Sequence, residues 1–102
     1  MIELRVDVAA VANQQIREAE SWWKQNRPAA PGAIAEELER ASTLIASQPR
    51  IGTRARNVAL PGVRRLYIAR IRYYLFYRVA DDPPRIEILS LWHASRGSGP
   101  PL

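Results

Sequence analysis

A change of hydrophobic period near the middle of the chain restricts its possible folds more than any other feature. Through residues 8–47 the apolar side chains recur at three- and four-residue steps, whereas through residues 63–92 they alternate. The first period belongs to helices and the second to strands. Val8, Val11, Ala12, Ile16, Ala19 and Trp23 mark one face of a first helix, which Asp7 is positioned to cap. That helix must stop near Asn26 or Arg27, because Pro28 and Pro31 cannot continue it. Ile34, Leu38, Ala41 and Ile45 form the stripe of a second helix, from Pro31 or Gly32 to Ser47, with Glu36 and Arg40 spaced for an i,i+4 pair. Ahead of both, Ile2, Leu4 and Val6 alternate with Glu3, Arg5 and Asp7, the pattern of a half-buried strand.

The second half begins with a loop, Gln48–Gly62, that sustains no period. Strands are expected over Val63–Ala69, Tyr73–Val79 and Arg85–Trp92, with turns at Arg70–Arg72 and Asp81–Pro84. The order is β-α-α-β-β-β, and its economical arrangement is α+β: a small antiparallel sheet packed against an N-terminal two-helix hairpin. Residues 1–94 make one domain, and residues 95–102, "SRGSGPPL", read as a flexible C-terminal tail.

The strands are unusually basic. The chain has fourteen Arg against one Lys and a net charge of +5. Residues 49–102 hold ten of those Arg against Asp81, Asp82 and Glu87, while residues 1–48 are slightly acidic. Along Tyr73–Val79 the odd positions share one face, and Tyr74, Phe76 and Arg78 share the other. On the preceding strand Leu66 and Ile68 belong with the core, and Arg65 and Tyr67 face away from it. One face of the sheet therefore interleaves Arg with Tyr, a mixture suited to stacking plus phosphate contact, or to an acidic and partly apolar peptide. Of the adjacent pair Trp22 and Trp23 only one can turn inward, and the other is a candidate partner contact.

Enzyme chemistry finds little material. His93 is the single histidine and there is no cysteine, so zinc sites and His-paired nucleophiles are essentially excluded. The glycines form no phosphate loop, and neither a metal nor a cofactor is expected. One route stays open, metal-free phosphodiester cleavage, with Arg64, Arg65, Arg72, Arg78, His93 and Arg96 as its candidate groups. No signal peptide or membrane span is expected, and the cysteine-free composition suits the cytoplasm.

In order along the chain, Pro49…Gly52, Arg64-x-Leu66, "YYLFYRV" (Tyr73–Val79) and "LWHASRG" (Leu91–Gly97) resemble the signature positions of the RelE/ParE toxins of type II toxin–antitoxin systems. The resemblance implies the same β-α-α-β-β-β fold. It also implies a cognate antitoxin with a DNA-binding amino-terminal part and an acidic, amphipathic segment that wraps the toxin. RelE-like members cut mRNA on the ribosome, and ParE-like members poison DNA gyrase. The cutting branch carries lysines at the positions of Arg65 and Tyr67, an arginine at that of Tyr74, and a tyrosine beyond the last strand. Here all of these are replaced, which implies the ParE-like branch, with no catalytic residue. Trp22, Arg64, Arg65, Tyr67, Tyr74, Arg78 and Arg96 are then the expected partner-binding residues.

Overall fold

The computed structural model describes residues 3–102. Strand β1 (Arg5–Val8) leads into helix α1 (Ala10–Asn26) and helix α2 (Ala33–Ser47). Strands β2 (Thr53–Arg54), β3 (Arg64–Ile68), β4 (Tyr73–Asp81) and β5 (Pro84–His93) follow. They form one sheet in the order β1-β5-β4-β3-β2. The expected sheet on a helical hairpin is present. Pairing is antiparallel from β2 to β5, and β1 joins β5 in parallel, Arg5 beside Arg85 through Val8 beside Ile88. Thr53 and Arg54 pair with Arg65 and Arg64, so the stretch expected as plain loop contributes a short edge strand.

Both helices pack on one face of the sheet. Ala12, Ala19, Ile34, Ala41 and Ile45 meet Leu75, Tyr77, Ile86, Ile88 and Leu91 in a single core. Each fully buried Ile or Leu contributes about 1.5–3 kcal/mol. Small residues at Ala12, Ala19 and Ala41 let the helices approach the strands closely. Ile16, Trp23 and Leu38 complete the two stripes at the margin of the core.

The start of the first helix differs from expectation. Val8 is the last residue of β1 rather than part of α1, and Val11 is 61% exposed. The N-cap position is Ala9, with no side-chain cap; Asp7 lies on β1 instead, where it accepts from Arg5 at 3.0 Å and lies 3.7 Å from Arg85. Parallel pairing with β5 claims the backbone of residues 5–8, and the ladder runs on through the Ala9 N–H to the Ile88 carbonyl at 2.9 Å. Residues 1 and 2, and so the expected strand position Ile2, lie outside the described residues. Where β1 stops, Gln15 of α1 takes over the edge of β5: its Oε1 accepts the Leu91 N–H and the Ser90 hydroxyl, each at 2.9 Å. On α2, Arg40 pairs with Glu37 at i,i+3 rather than with Glu36, because Glu36 reaches the β3–β4 turn and holds Arg70 at 2.9 Å.

The loop before β3 is pinned from inside. The Tyr77 hydroxyl donates to the Pro49 carbonyl at 2.7 Å and accepts the Gly52 N–H at 2.9 Å. A Cβ at residue 52 would lie 2.7 Å from the Tyr77 hydroxyl and 2.9 Å from the Arg65 carbonyl, so only glycine fits. Residues 95–102 lie between β5 and the 55–60 stretch. The Trp92 indole donates to the Ser98 carbonyl at 2.7 Å, Pro100 is buried, and the Ala59 N–H donates to the Leu102 carbonyl at 3.1 Å.

Candidate functional site

The face of the sheet away from the helices carries a row of rings. Register places Tyr67 of β3 opposite Tyr74 of β4, and Tyr74 opposite Trp92 of β5. Directly opposed residues share a face, so the three make a cross-strand ladder. Tyr67 and Tyr74 have centroids 5.1 Å apart, and Tyr67 is 48% exposed. Two guanidiniums rest on this ladder. Arg65 lies 4.4 Å from the Tyr74 centroid and Arg96 lies 4.0 Å from that of Trp92. Stacking of this kind keeps each cation at the surface and presents its edge N–H groups outward. Behind them Phe76 is fully buried, and a small cleft of about 200 Å³ runs between the ladder and residues 97–98.

Four of the expected partner-binding residues, Arg65, Tyr67, Tyr74 and Arg96, thus come together in one patch. The others stand elsewhere. Arg64 donates to the Gly52 carbonyl at 2.8 Å and to the Arg50 carbonyl at 3.5 Å, which fastens the loop to β3. Arg78 is tied to Glu87 at 2.7 Å, farther along β4. Trp22 is 48% exposed beside Arg27, at the far end of α1, while its neighbour Trp23 turns inward. Trp92 is the third ring of the ladder.

Of the six candidate groups for phosphodiester cleavage, Arg65, His93 and Arg96 line the small cleft beside the ladder, and Arg64, Arg72 and Arg78 do not. Arg64 and Arg78 have the partners just given, and Arg72 sits in the β3–β4 turn with φ of 61°. His93 is opposite Tyr73 and packs edge-on against its ring at 4.9 Å, which puts it on the helix-facing side of β4. Its Nδ1 accepts the Ser95 N–H at 3.1 Å and contacts the Ser95 hydroxyl at 2.6 Å. Burial pushes the Tyr73 phenol above its ordinary value, and Arg96 draws it partly back. Burial also raises the Tyr77 phenol, opposed by the Gly52 N–H and by Arg64. A tyrosine raised in this way is a poor proton acceptor at neutral pH. The ladder can grip planar and anionic groups, and His93 also lines the small cleft beside it. Among the described residues no group of three or more His, Cys, Asp or Glu could hold a metal ion, and no helix is long and apolar enough to cross a membrane.

Comparison with known proteins agrees with this architecture. The model of a family described as "ParE toxin of type II toxin-antitoxin system, parDE" matches residues 6–97. No curated protein matches the chain in sequence. Among solved structures, the chain is similar to one from the chromosomal ParDE system of P. aeruginosa, with TM-score 0.72 and 16% identity over 91% of this chain and 98% of that one. It is also similar to the isolated E. coli RelE toxin, with TM-score 0.68 and 20% identity over 92% and 87% of the two chains. A third similar structure is the RelBE2 toxin–antitoxin complex of Mycobacterium tuberculosis, with TM-score 0.65 and 22% identity over 90% and 99%.

Proposed function

We infer, from the premise that this chain belongs to the ParE toxin family of type II toxin–antitoxin systems, that it arrests growth by binding a target rather than by cutting one. The target we propose is DNA gyrase, in the cytoplasm. A cognate antitoxin would neutralise the toxin by direct contact. The observation that carries this reading is the ladder Tyr67–Tyr74–Trp92 with Arg65 and Arg96 stacked on it. Rigid aromatic side chains with stacked arginines are the side chains that dominate binding energy at interfaces. Two of the candidate groups for cleavage support binding over chemistry, since Arg64 and Arg78 are each engaged elsewhere.

The test is a supercoiling assay with purified gyrase, relaxed plasmid, ATP and a titration of this protein. Inhibition or trapped cleaved DNA, relieved by the antitoxin, is the expected result. Full gyrase activity at saturating protein, together with cut message on translating ribosomes, would replace this reading with a ribosome-dependent mRNA endonuclease.

A further inference from the structure

The other arginine cluster lies outside the ladder and has no part in the function proposed above. At the carboxy-terminal end of α1 a cleft of about 690 Å³ opens between the helix, the β3–β4 turn and the end of β5. Its volume falls in the range of small-molecule sites, roughly 300–1,000 Å³. Trp22, Trp23 and Arg27 form one wall, residues 70–73 the second, and His93 the third. No carboxylate lines it.

The wall is rich in donors, and the Tyr73 hydroxyl on it can also accept. The Trp23 Nε1 is the one buried side-chain nitrogen or oxygen without a hydrogen-bond partner among the described residues, and an indole N–H can only donate. His93 receives the Ser95 N–H on Nδ1, so its neutral ring carries the proton on Nε2 and offers a second donor. Arg70 is already occupied, donating to Glu36 at 2.9 Å and Glu37 at 3.0 Å. Arg72 is different. Its φ of 61° is the left-handed conformation that glycine or asparagine adopts most readily. The turn is held there by backbone alone: the Arg72 N–H donates to the Ile68 carbonyl at 2.8 Å, and the Arg72 carbonyl accepts the Ala94 N–H at 2.9 Å. Its side chain has no part in that turn, and its guanidinium has no partner among the described residues. Strained backbone positions of this kind cluster at functional sites.

We propose that this cleft binds a phosphate monoester attached to a planar group, the chemistry of a nucleoside monophosphate. The Arg72 fork and the His93 Nε2 offer N–H groups to an anion, and no carboxylate on the wall opposes it; a phosphate monoester, with three free oxygens and nearly two negative charges, gains more from them than a carboxylate does. The planar group stacks on Trp22, which is 48% exposed and already has Arg27 at 5.4 Å from its ring. A free nucleotide and the phosphorylated end of a single-stranded nucleic acid share this chemistry.

Calorimetric titration of the full chain with AMP, GMP, adenosine and a short RNA with or without a 5′-phosphate tests the site. AMP or GMP, or the phosphorylated RNA, is expected to bind saturably, with adenosine and the unphosphorylated RNA at least about tenfold weaker. Tighter binding of the phosphorylated RNA than of AMP assigns the site to a nucleic-acid end, and the reverse order assigns it to a free nucleotide. Arg72→Gly relieves the left-handed backbone, so its melting temperature should hold or rise while phosphate affinity drops by about tenfold or more. Trp22→Ala should weaken the nucleotide but leave inorganic phosphate unaffected. The proposal fails if millimolar nucleotide and phosphorylated RNA bind nowhere, or if Arg72→Gly binds them like the parent chain. It also fails if a Glu-rich peptide competes as strongly as AMP, an outcome that would give the cleft to an acidic protein segment.

Discussion

Tyr77 and Tyr74 lie three residues apart on one strand, yet they do opposite work. Tyr77 is on the helix-facing side of β4, fully buried, with its hydroxyl holding Pro49 and Gly52. Tyr74 is on the other side, half-buried, with its ring between Tyr67 and Arg65. The inner tyrosine matters for its hydroxyl, and the outer one matters for the face of its ring. Strand alternation makes that division, since neighbouring side chains point to opposite faces. The inner face converts sequence into stability, and the outer face converts it into a surface that something else completes.

The largest effect that should separate the two faces comes from truncating the inner one. Leu75 is fully buried between Tyr73 and Tyr77 in the core, and Leu75→Ala should cost about 2–5 kcal/mol. Tyr74→Ala, one residue away, should cost less than about 1 kcal/mol because its ring already meets water on one side. Urea denaturation of both variants makes the comparison, and equal losses would mean that the outer face is a second core.

Next in size is the hydroxyl of Tyr77. Tyr77→Phe keeps the ring but leaves the Gly52 N–H and the Pro49 carbonyl without their partner, each a loss of about 1–3 kcal/mol where water cannot replace it. The same tyrosine sets a pH limit. A phenol whose folded pKa is raised contributes stability that is complete below the unfolded value, about 10. That stability is lost as pH rises through the folded value. Tyr73 has the same sign. The melting temperature should therefore fall more steeply above pH 10 in the parent chain than in the Tyr73→Phe, Tyr77→Phe double variant.

How much of this was legible beforehand follows from the range of each interaction. The helical hairpin could be read because Pro28 and Pro31 interrupt two stretches whose periodicity is local. The division of β4 into two faces could be read for the same reason, and Arg65, Tyr67 and Tyr74 came with it. What could not be read depends on a distant partner. The parallel seat of β1 needs β5, eighty residues on, and β2 needs Arg64 and Arg65. Arg64 bonds backbone carbonyls, which every residue has, so no sequence pattern marks its partner. Strand spacing likewise cannot say which face the helices cover, so it does not place Trp92 on the outer one. Arg72 carried one available signal, an arginine in a tight turn with no glycine or asparagine to take the left-handed position.

On the outer face the expected effects are on binding. Arg65→Glu reverses a charge stacked at 4.4 Å on the Tyr74 ring. It should slow association with an acidic antitoxin and flatten the salt dependence of that rate, with a loss in affinity of about tenfold or more. Stopped-flow rates across a salt series read this directly. Rates unchanged at low salt would move the antitoxin to another face and leave the ladder to the target alone.

The smallest effect should come from the pair that most resembles a binding site by composition. Arg78 and Glu87 face each other across β4 and β5 at 2.7 Å, with about a third of the Arg78 side chain and a quarter of the Glu87 side chain still exposed. Water screens a pair of that kind, so a double-mutant cycle with Arg78→Ala and Glu87→Ala should return a coupling of about 0–1 kcal/mol. Its charge is answered within the chain, and a partner gains little from an arginine that must first be released. Arg78→Ala should therefore leave partner affinity within about twofold of the parent chain, against the tenfold loss at Arg65. If Arg78→Ala weakens binding as much as Arg65→Glu does, the partner displaces Glu87 on docking, and the binding face runs the full length of β4 rather than ending at the ladder.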